Sequence, residues 1–235
     1  MVSAKSIKEH LQTLADPTHQ KAALRFFKTG EGEYGAGDHF IGIRMPVLRQ
    51  AVVQFYPLSN KVIGSLLKSP IHEVRLFALL MLVRMFELGS TEDQENIATF
   101  YLANLEHVNN WDLVDASCYK ILGPYLYARD SSILFDLARS SSLWERRVAI
   151  VTTFHFIRQG DYQTTFALAD ILLNDAEDLI HKACGWMLRN VGDRDGKLLR
   201  EYLTTRYKTM PRTMLRYSIE KFPGDERRQY LDGEI

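Results

Sequence analysis

Apolar residues recur at spacings of three and four along nearly the whole chain, and no stretch shows the strict alternation of a β-strand. The segment from Asp178 to Val191 is the clearest case, because its apolar positions follow an i, +3, +4, +7, +8, +11 spacing that must face a core. These positions are Ile180, Ala183, Cys184, Met187, Leu188 and Val191. The pattern therefore predicts an all-α protein with no sheet.

Capping signals add to the periodicity in placing the helix starts. Ser142 and Glu145 have the spacing of a capping box, which predicts a helix beginning just ahead of Arg147. Another helix is predicted to begin at Asn110 or Trp111. Further helices are predicted near Ile7–Ala15, His19–Lys28, Pro46–Phe55, Asn60–Leu67, His72–Leu88, Asp93–Leu105, Ser131–Ala138, Tyr162–Leu173, Lys197–Tyr207, Arg212–Phe222 and Glu226–Leu231.

Polar and aromatic residues recur at equivalent places in successive helical units. Asp115, Arg147 and Lys182 align at offsets of 32 and 35 residues, and small residues follow each of them. A period of this size is typical of stacked helical pairs, so we expect one α-solenoid domain over residues 1–235. Equivalent positions of such an array share a surface. The three charged groups, flanked by Trp111 and Trp186, are therefore predicted to line one wall.

Composition indicates an ordinary globular protein and removes several functional classes. Of the 235 residues, 46% are hydrophobic and 25% are charged. The longest apolar run, Phe77 to Val83, is too short to cross a bilayer, and the first residues lack a secretion signal. We interpret Cys118 and Cys184 as reduced packing residues, which favours a cytoplasmic location without a membrane partner.

Charge is balanced overall but unevenly distributed along the chain. Lys and Arg total 29 and so do Asp and Glu. Between Met85 and Tyr119 there are seven acidic residues and no Lys or Arg, whereas His181 to Lys221 holds ten basic and four acidic residues. The basic segment is a candidate polyanion surface, although solvated helix faces would give the same pattern.

Metal and nucleophile motifs are missing from the sequence. The seven histidines show no metal-ligand spacing, and no Ser or Cys occurs in a nucleophile-elbow sequence. A zinc enzyme and an acyl-transfer hydrolase are therefore poorly supported, and no cofactor or metal is predicted. The glycine-rich segment from Thr29 to Met45 lacks the Gly-Lys-Ser/Thr of a phosphate loop, so we expect an ordered loop that ties the first helices to the array.

Asp115 lies in the first or second turn of its predicted helix, and Trp111 precedes it by four residues on the same face. The helix macrodipole stabilises a carboxylate in this position by roughly 0.3–1 kcal/mol. Asp115 is thus suited to act as an anion at neutral pH.

Five sequence blocks carry a resemblance that extends from about Phe26 to Arg189, a span that covers most of the chain. The blocks are Trp111–Asp115, Leu143–Ile150, Lys182–Arg189, Phe26–Gly30 and His39–Arg44. They resemble the AlkD family of DNA alkylation-repair glycosylases. The most specific are the tryptophan–aspartate block and the Lys-x-x-Gly-Trp block.

This resemblance implies a curved superhelix of HEAT-like repeats that holds duplex DNA in its concave surface. It implies excision of cationic alkylpurines such as 7-methylguanine and 3-methyladenine, with Asp115 as the catalytic carboxylate. Trp111 and Trp186 would then flank the deoxyribose. The residues predicted to bind DNA are Arg147, Lys182, Arg189 and Arg44.

Two other functions remain open at this stage. One is a catalytically silent HEAT-repeat protein that binds damaged or branched DNA, and the other is a protein–protein scaffold. Within the enzyme hypothesis, Lys182 could form a Schiff base and cleave the strand, but an electrostatic role is favoured and predicts a monofunctional glycosylase. Phe26 could flank DNA, but core packing is favoured for it, and a core or interface anchor is favoured for Trp144. A monomer is the default expectation.

Overall fold

The computed structural model describes residues 2–235, and the fold over this range is all-helical, as predicted. Its one feature of β type is an isolated bridge between His39 and Ile71. The fourteen α-helices of the described chain are α1 (Ala4–Thr13), α2 (Pro17–Phe26), α3 (Met45–Phe55), α4 (Asn60–Leu67), α5 (His72–Leu88), α6 (Thr91–Leu102), α7 (Trp111–Tyr127), α8 (Ser132–Leu137), α9 (Leu143–Arg158), α10 (Gln163–Ile171), α11 (Asp178–Gly192), α12 (Gly196–Thr204), α13 (Arg212–Ser218) and α14 (Gly224–Asp232).

Local capping explains several of these starts. Asp16 accepts hydrogen bonds from the backbone of residues 18 and 19, so α2 begins at Pro17. The Ser142 side chain accepts from the backbone N–H of Glu145, which confirms the predicted cap of α9. The reciprocal half of the capping box is not formed, because the Glu145 carboxylate accepts instead from the Ser140 hydroxyl, 2.5 Å away.

The chain divides into two compact units, one up to Ser117 and the other Cys118–Ile235. In the first unit α5 is the central element and is buried along most of its 17 residues. It packs against α3, α4 and α6, and α1 packs against α4. A helix that is apolar on nearly every side is stable only when other helices cover it.

In the second unit, alternate helices lie side by side. Helix α11 packs against α9 and against α13, while α8 and α10 pack against α9 and α12 packs against α11. All six apolar positions of the predicted α11 stripe are buried. This is the stacking of helical pairs that the period predicts. That residues 1–235 form a single domain stays a prediction.

The glycine-rich segment between α2 and α3 is an ordered loop anchored on α5. The buried Glu73 carboxylate accepts from the backbone N–H groups of Ile41, Gly42 and Ile43 at 2.7–3.3 Å. Gly42 has φ of +83° and passes so close to Asp16 and Gln20 that a Cβ would collide with their backbone. The loop's amide groups thus bind a carboxylate of the chain itself.

Membrane-spanning helices and clusters of metal ligands are both absent from residues 2–235. None of the helices is long and apolar enough to cross a membrane. No group of three or more His, Cys, Asp or Glu side chains in residues 2–235 is arranged to hold a metal ion.

Candidate active site

The start of α7 brings two of the predicted catalytic residues together. Asn110 is buried, and its side-chain oxygen accepts from the backbone N–H of Trp111 at 2.8 Å, which fixes the first residue of the helix. Trp111 and Asp115 are one turn apart and both are partly exposed. The acid in the first turn is Asp112, so the macrodipole acts more strongly on Asp112 than on Asp115.

Two phenylalanines at the end of α2 fix the Trp111 ring. The Phe27 ring stacks on the indole with centroids 5.2 Å apart and an angle of 19° between the planes. The Phe26 ring meets the indole edge-on at 5.7 Å and is 65% exposed. The prediction that Phe26 packs in the core is therefore wrong: Phe27, beyond the last helical residue, takes the inner position.

Beneath this aromatic cluster lies a buried polar network centred on His72, which is 1% exposed. Its Nδ1 is 3.0 Å from Asp38 Oδ2 and its Nε2 is 2.8 Å from Asp112 Oδ2. Both ring nitrogens face carboxylates, so the imidazole is held as a doubly protonated cation. Asp38 also forms an ion pair with Arg75 and accepts from Asn110 Nδ2 at 2.9 Å.

The electrostatics of this network follow from its contacts. Burial alone lowers the pKa of His72, but hydrogen bonds and attraction from Asp112 and Asp38 outweigh it and raise the pKa to about 9. Burial raises the pKa of Asp38, yet the hydrogen bond from His72, the charge of Arg75 and the hydrogen bond from Asn110 lower it to about 2. His72 and Asp38 are therefore both charged at neutral pH, and the network ties the loop, α5 and α7 to one another.

A cleft of about 480 Å³ adjoins the same cluster. Phe26, Phe27 and Phe40 form its apolar walls, while Asp112 and the exposed Arg44 supply charged groups. The first unit thus brings Arg44, predicted to bind DNA, to a cleft that the neighbours of Trp111 also line.

In the second unit, α11 carries Lys182, Trp186 and Arg189 at an i, i+4, i+7 spacing, and all three are partly exposed. The Trp186 ring lies against Phe154 of α9, with centroids 5.9 Å apart. Lys182 Nζ is 2.7 Å from Asp178 Oδ2, and Arg189 forms an ion pair with Glu220. That this row and the Trp111–Asp115 pair share one wall stays a prediction.

Arg147, which the sequence predicts as a contact to the DNA backbone, lies on α9 and is buried. It is only 5% exposed, and its Nη1 donates to the carbonyl of Leu179 at 2.7 Å. The neighbouring Arg146 binds Asp175 through two nitrogens. The two arginines of α9 thus hold the segment that begins α11. That Arg147 contacts the DNA backbone stays a prediction.

Sequence reasoning missed the network that supports Trp111. His72 lies 34 residues from Asp38 and 40 from Asp112, so no local spacing marks the cluster. One signal was available, because His72 and Glu73 open a helix that is otherwise strongly apolar. Polar side chains at the start of a buried helix need partners from elsewhere in the chain.

Comparison with known proteins agrees with this fold. The family described as DNA alkylation repair enzyme matches residues 7–222 of the chain. A solved structure titled as a predicted DNA alkylation repair enzyme from Enterococcus faecalis is similar, with a TM-score of 0.69 and 16% identity over 89% of this chain and 97% of that one. No curated protein matches the sequence. The chain belongs to the DNA alkylation repair enzyme family.

Proposed function

We propose that, within the repair of alkylated DNA, this protein is a monofunctional glycosylase acting on duplex DNA. Its substrates would be purines made cationic by alkylation, such as 7-methylguanine and 3-methyladenine. Asp115 is the catalytic carboxylate, and Trp111 and Trp186 flank the deoxyribose. The residues that bind the phosphate backbone are Arg147, Lys182, Arg189 and Arg44.

The reaction needs little besides a well-placed anion. The bond between C1′ and the purine nitrogen breaks, its electrons leave with the base, and the base departs neutral because it began as a cation. Water then bonds to C1′ and releases a proton. No general acid is needed, so the carboxylate's task is to stabilise the oxocarbenium ion and to orient the water.

Simple electrostatics gives the size of this effect. A carboxylate about 4 Å from a unit cation gains roughly 4 kcal/mol at an effective dielectric constant of about 20. This energy corresponds to about a thousandfold in rate. Indole faces beside the sugar attract the developing positive charge and exclude water.

The observation that carries the proposal is the fixed position of Trp111 one turn before Asp115. The indole is stacked on Phe27, and its backbone N–H is capped by Asn110, which also binds Asp38 in the His72 network. So much support for a partly exposed tryptophan is typical of a preorganised site. Lys182 is close to the Asp178 carboxylate, which favours an electrostatic role over a Schiff base.

The test is incubation of the protein with randomly methylated duplex DNA, followed by mass spectrometry of the released bases. We expect free 7-methylguanine and 3-methyladenine, and strand breaks only after alkali. Breaks without alkali would indicate the Schiff-base mechanism. Binding of the duplex with no base released would indicate a silent DNA-binding protein.

A further inference from the structure

A second cavity, of about 400 Å³, lies in the second unit among α11, α13 and α14. It begins at Lys182, which is one turn from Trp186 on α11. The cavity is therefore adjacent to a residue of the proposed sugar site. Its lining consists of Lys182, Thr213, Arg216, Tyr217, Glu220 and Arg227.

The charge around this cavity is positive. Three of the six lining residues are basic. The two carboxylates at its margin are already engaged, since Glu220 pairs with Arg189 and Asp178 pairs with Lys182. The lining residues and their ion-pair partners together include four cations and two carboxylates, so the local net charge is +2. The cations are Lys182, Arg189, Arg216 and Arg227, and the carboxylates are Asp178 and Glu220.

Two of the cations, Arg216 and Arg227, have no carboxylate partner in the described part of the chain. Arg216 is exposed. Arg227 is partly buried, and its Nε lies out of solvent without a hydrogen-bond acceptor. Two like charges that face one cavity repel each other, and an anion between them would remove that repulsion and satisfy the donors.

We propose that this cavity binds a phosphate group of the DNA backbone through Lys182, Arg216 and Arg227. This inference rests on the proposed function, and it extends the DNA contacts to α14. Arg227 lies beyond the stretch that matches the family, residues 7–222. A planar guanidinium can donate in parallel to two phosphate oxygens.

The experiment measures duplex affinity against salt concentration for the wild type, Arg216→Ala and the double variant Arg216→Ala/Arg227→Ala. The double variant should no longer neutralise this phosphate, so the slope of log K against log salt should fall in magnitude by about one, and Arg216→Ala should show part of that change. The loss of affinity should be the same for alkylated and unmodified duplex DNA, because contacts to phosphates do not depend on the base. The single variant changes an exposed side chain, so its result does not depend on the packing of Arg227.

Arg228 is the matched control, because it is exposed on α14 and does not line the cavity. Arg228→Ala should keep the wild-type slope. A double variant with the slope of Arg228→Ala overturns the proposal, and so does a wild type with no salt-dependent affinity. In a second arm, inorganic phosphate is titrated at constant ionic strength while thermal stability is followed. If the double variant loses stabilisation by phosphate but keeps the DNA slope, the cavity takes free phosphate and the proposal fails.

The two proposals fail separately. Base release with an unchanged slope would refute the phosphate site alone. A reduced slope without base release would refute the glycosylase alone.

Discussion

The imidazole of His72 and the carboxylate of Asp112 join α5 to the first turn of α7, with Nε2 and Oδ2 2.8 Å apart. The opposite nitrogen of the same ring binds Asp38 of the loop. Trp111 immediately precedes Asp112, and Asp115 lies three residues after it. The contact therefore positions the turn of helix that carries both proposed catalytic residues of the first unit.

Replacement of His72 by Gln should destabilise the first unit. An amide cannot neutralise two buried carboxylates, and removing one partner from a buried ion pair typically costs about 3 kcal/mol. Urea unfolding measures the difference. His39→Gln is the control, because His39 is an exposed residue of the same loop that joins the network only through its backbone. Equal stability of the two variants would contradict the assignment.

The same network predicts a loss of stability at alkaline pH. The folded-state pKa of His72, about 9, is above its ordinary value of 6.5, so its contribution is complete below about 6.5 and is lost as pH rises through 9. Asp38 affects stability at acidic pH instead. Its folded-state pKa is below its ordinary value of 3.8, so its contribution to stability is complete above about 3.8 and is lost as pH falls through about 2. Between pH 7 and 9.5 the wild type should therefore lose more unfolding free energy than His72→Gln. If the unfolding free energies of the two proteins change in parallel between pH 7 and 9.5, His72 does not titrate in this range.

Phe26 and Phe27 should respond differently to truncation. Phe27 stacks on Trp111 and Phe40, so Phe27→Ala should cost about 3 kcal/mol and slow base release by misplacing the indole. Phe26→Ala should alter stability by no more than about 0.5 kcal/mol, because the side chain is 65% exposed. Denaturant unfolding of both variants is the measurement. A larger cost for Phe26→Ala would place Phe26 in the core after all.

Gly185 sets the distance between α11 and α13. A Cβ there would meet the Tyr217 Cβ at 2.5 Å and the Met214 carbonyl at 2.6 Å. Gly185→Ala should therefore cost about 1–3 kcal/mol and move the helix that carries Lys182 and Trp186.

Gly224→Ala is the control for that variant. Gly224 opens α14, has an ordinary φ and would place a Cβ in open space. Thermal unfolding of both variants tests the packing. If Gly185→Ala is as stable as Gly224→Ala, α13 can move away from α11 at little energetic cost.

Helix positions were predictable because their signals are local. The bounds of α4 and α5 were predicted to the residue, and the buried face of α11 follows from its spacing. The Phe26–Phe27 pair was not predictable, because α2 ends at Phe26 and helical periodicity stops there. At a helix end, the loop geometry decides which side chain turns inward.

The site was predictable only in part, for a different reason. The resemblance of the sequence blocks to a known family identifies Trp111, Asp115 and Trp186 as candidate site residues. It does not show whether an arginine side chain faces solvent. Arg147 is buried, and its guanidinium donates a hydrogen bond to the carbonyl of Leu179, 32 residues away. Such a contact depends on tertiary packing, which no spacing within α9 reveals.

The most direct test compares 7-methylguanine release by the wild type and Asp115→Asn in single-turnover reactions, with duplex affinity measured in parallel. Asn keeps the shape of the side chain and removes its charge, so the rate should fall about a thousandfold while affinity is retained or improved. Glu106→Gln, which neutralises an exposed carboxylate shortly before α7, should match the wild type. A wild-type rate in Asp115→Asn would contradict the assigned role of this carboxylate.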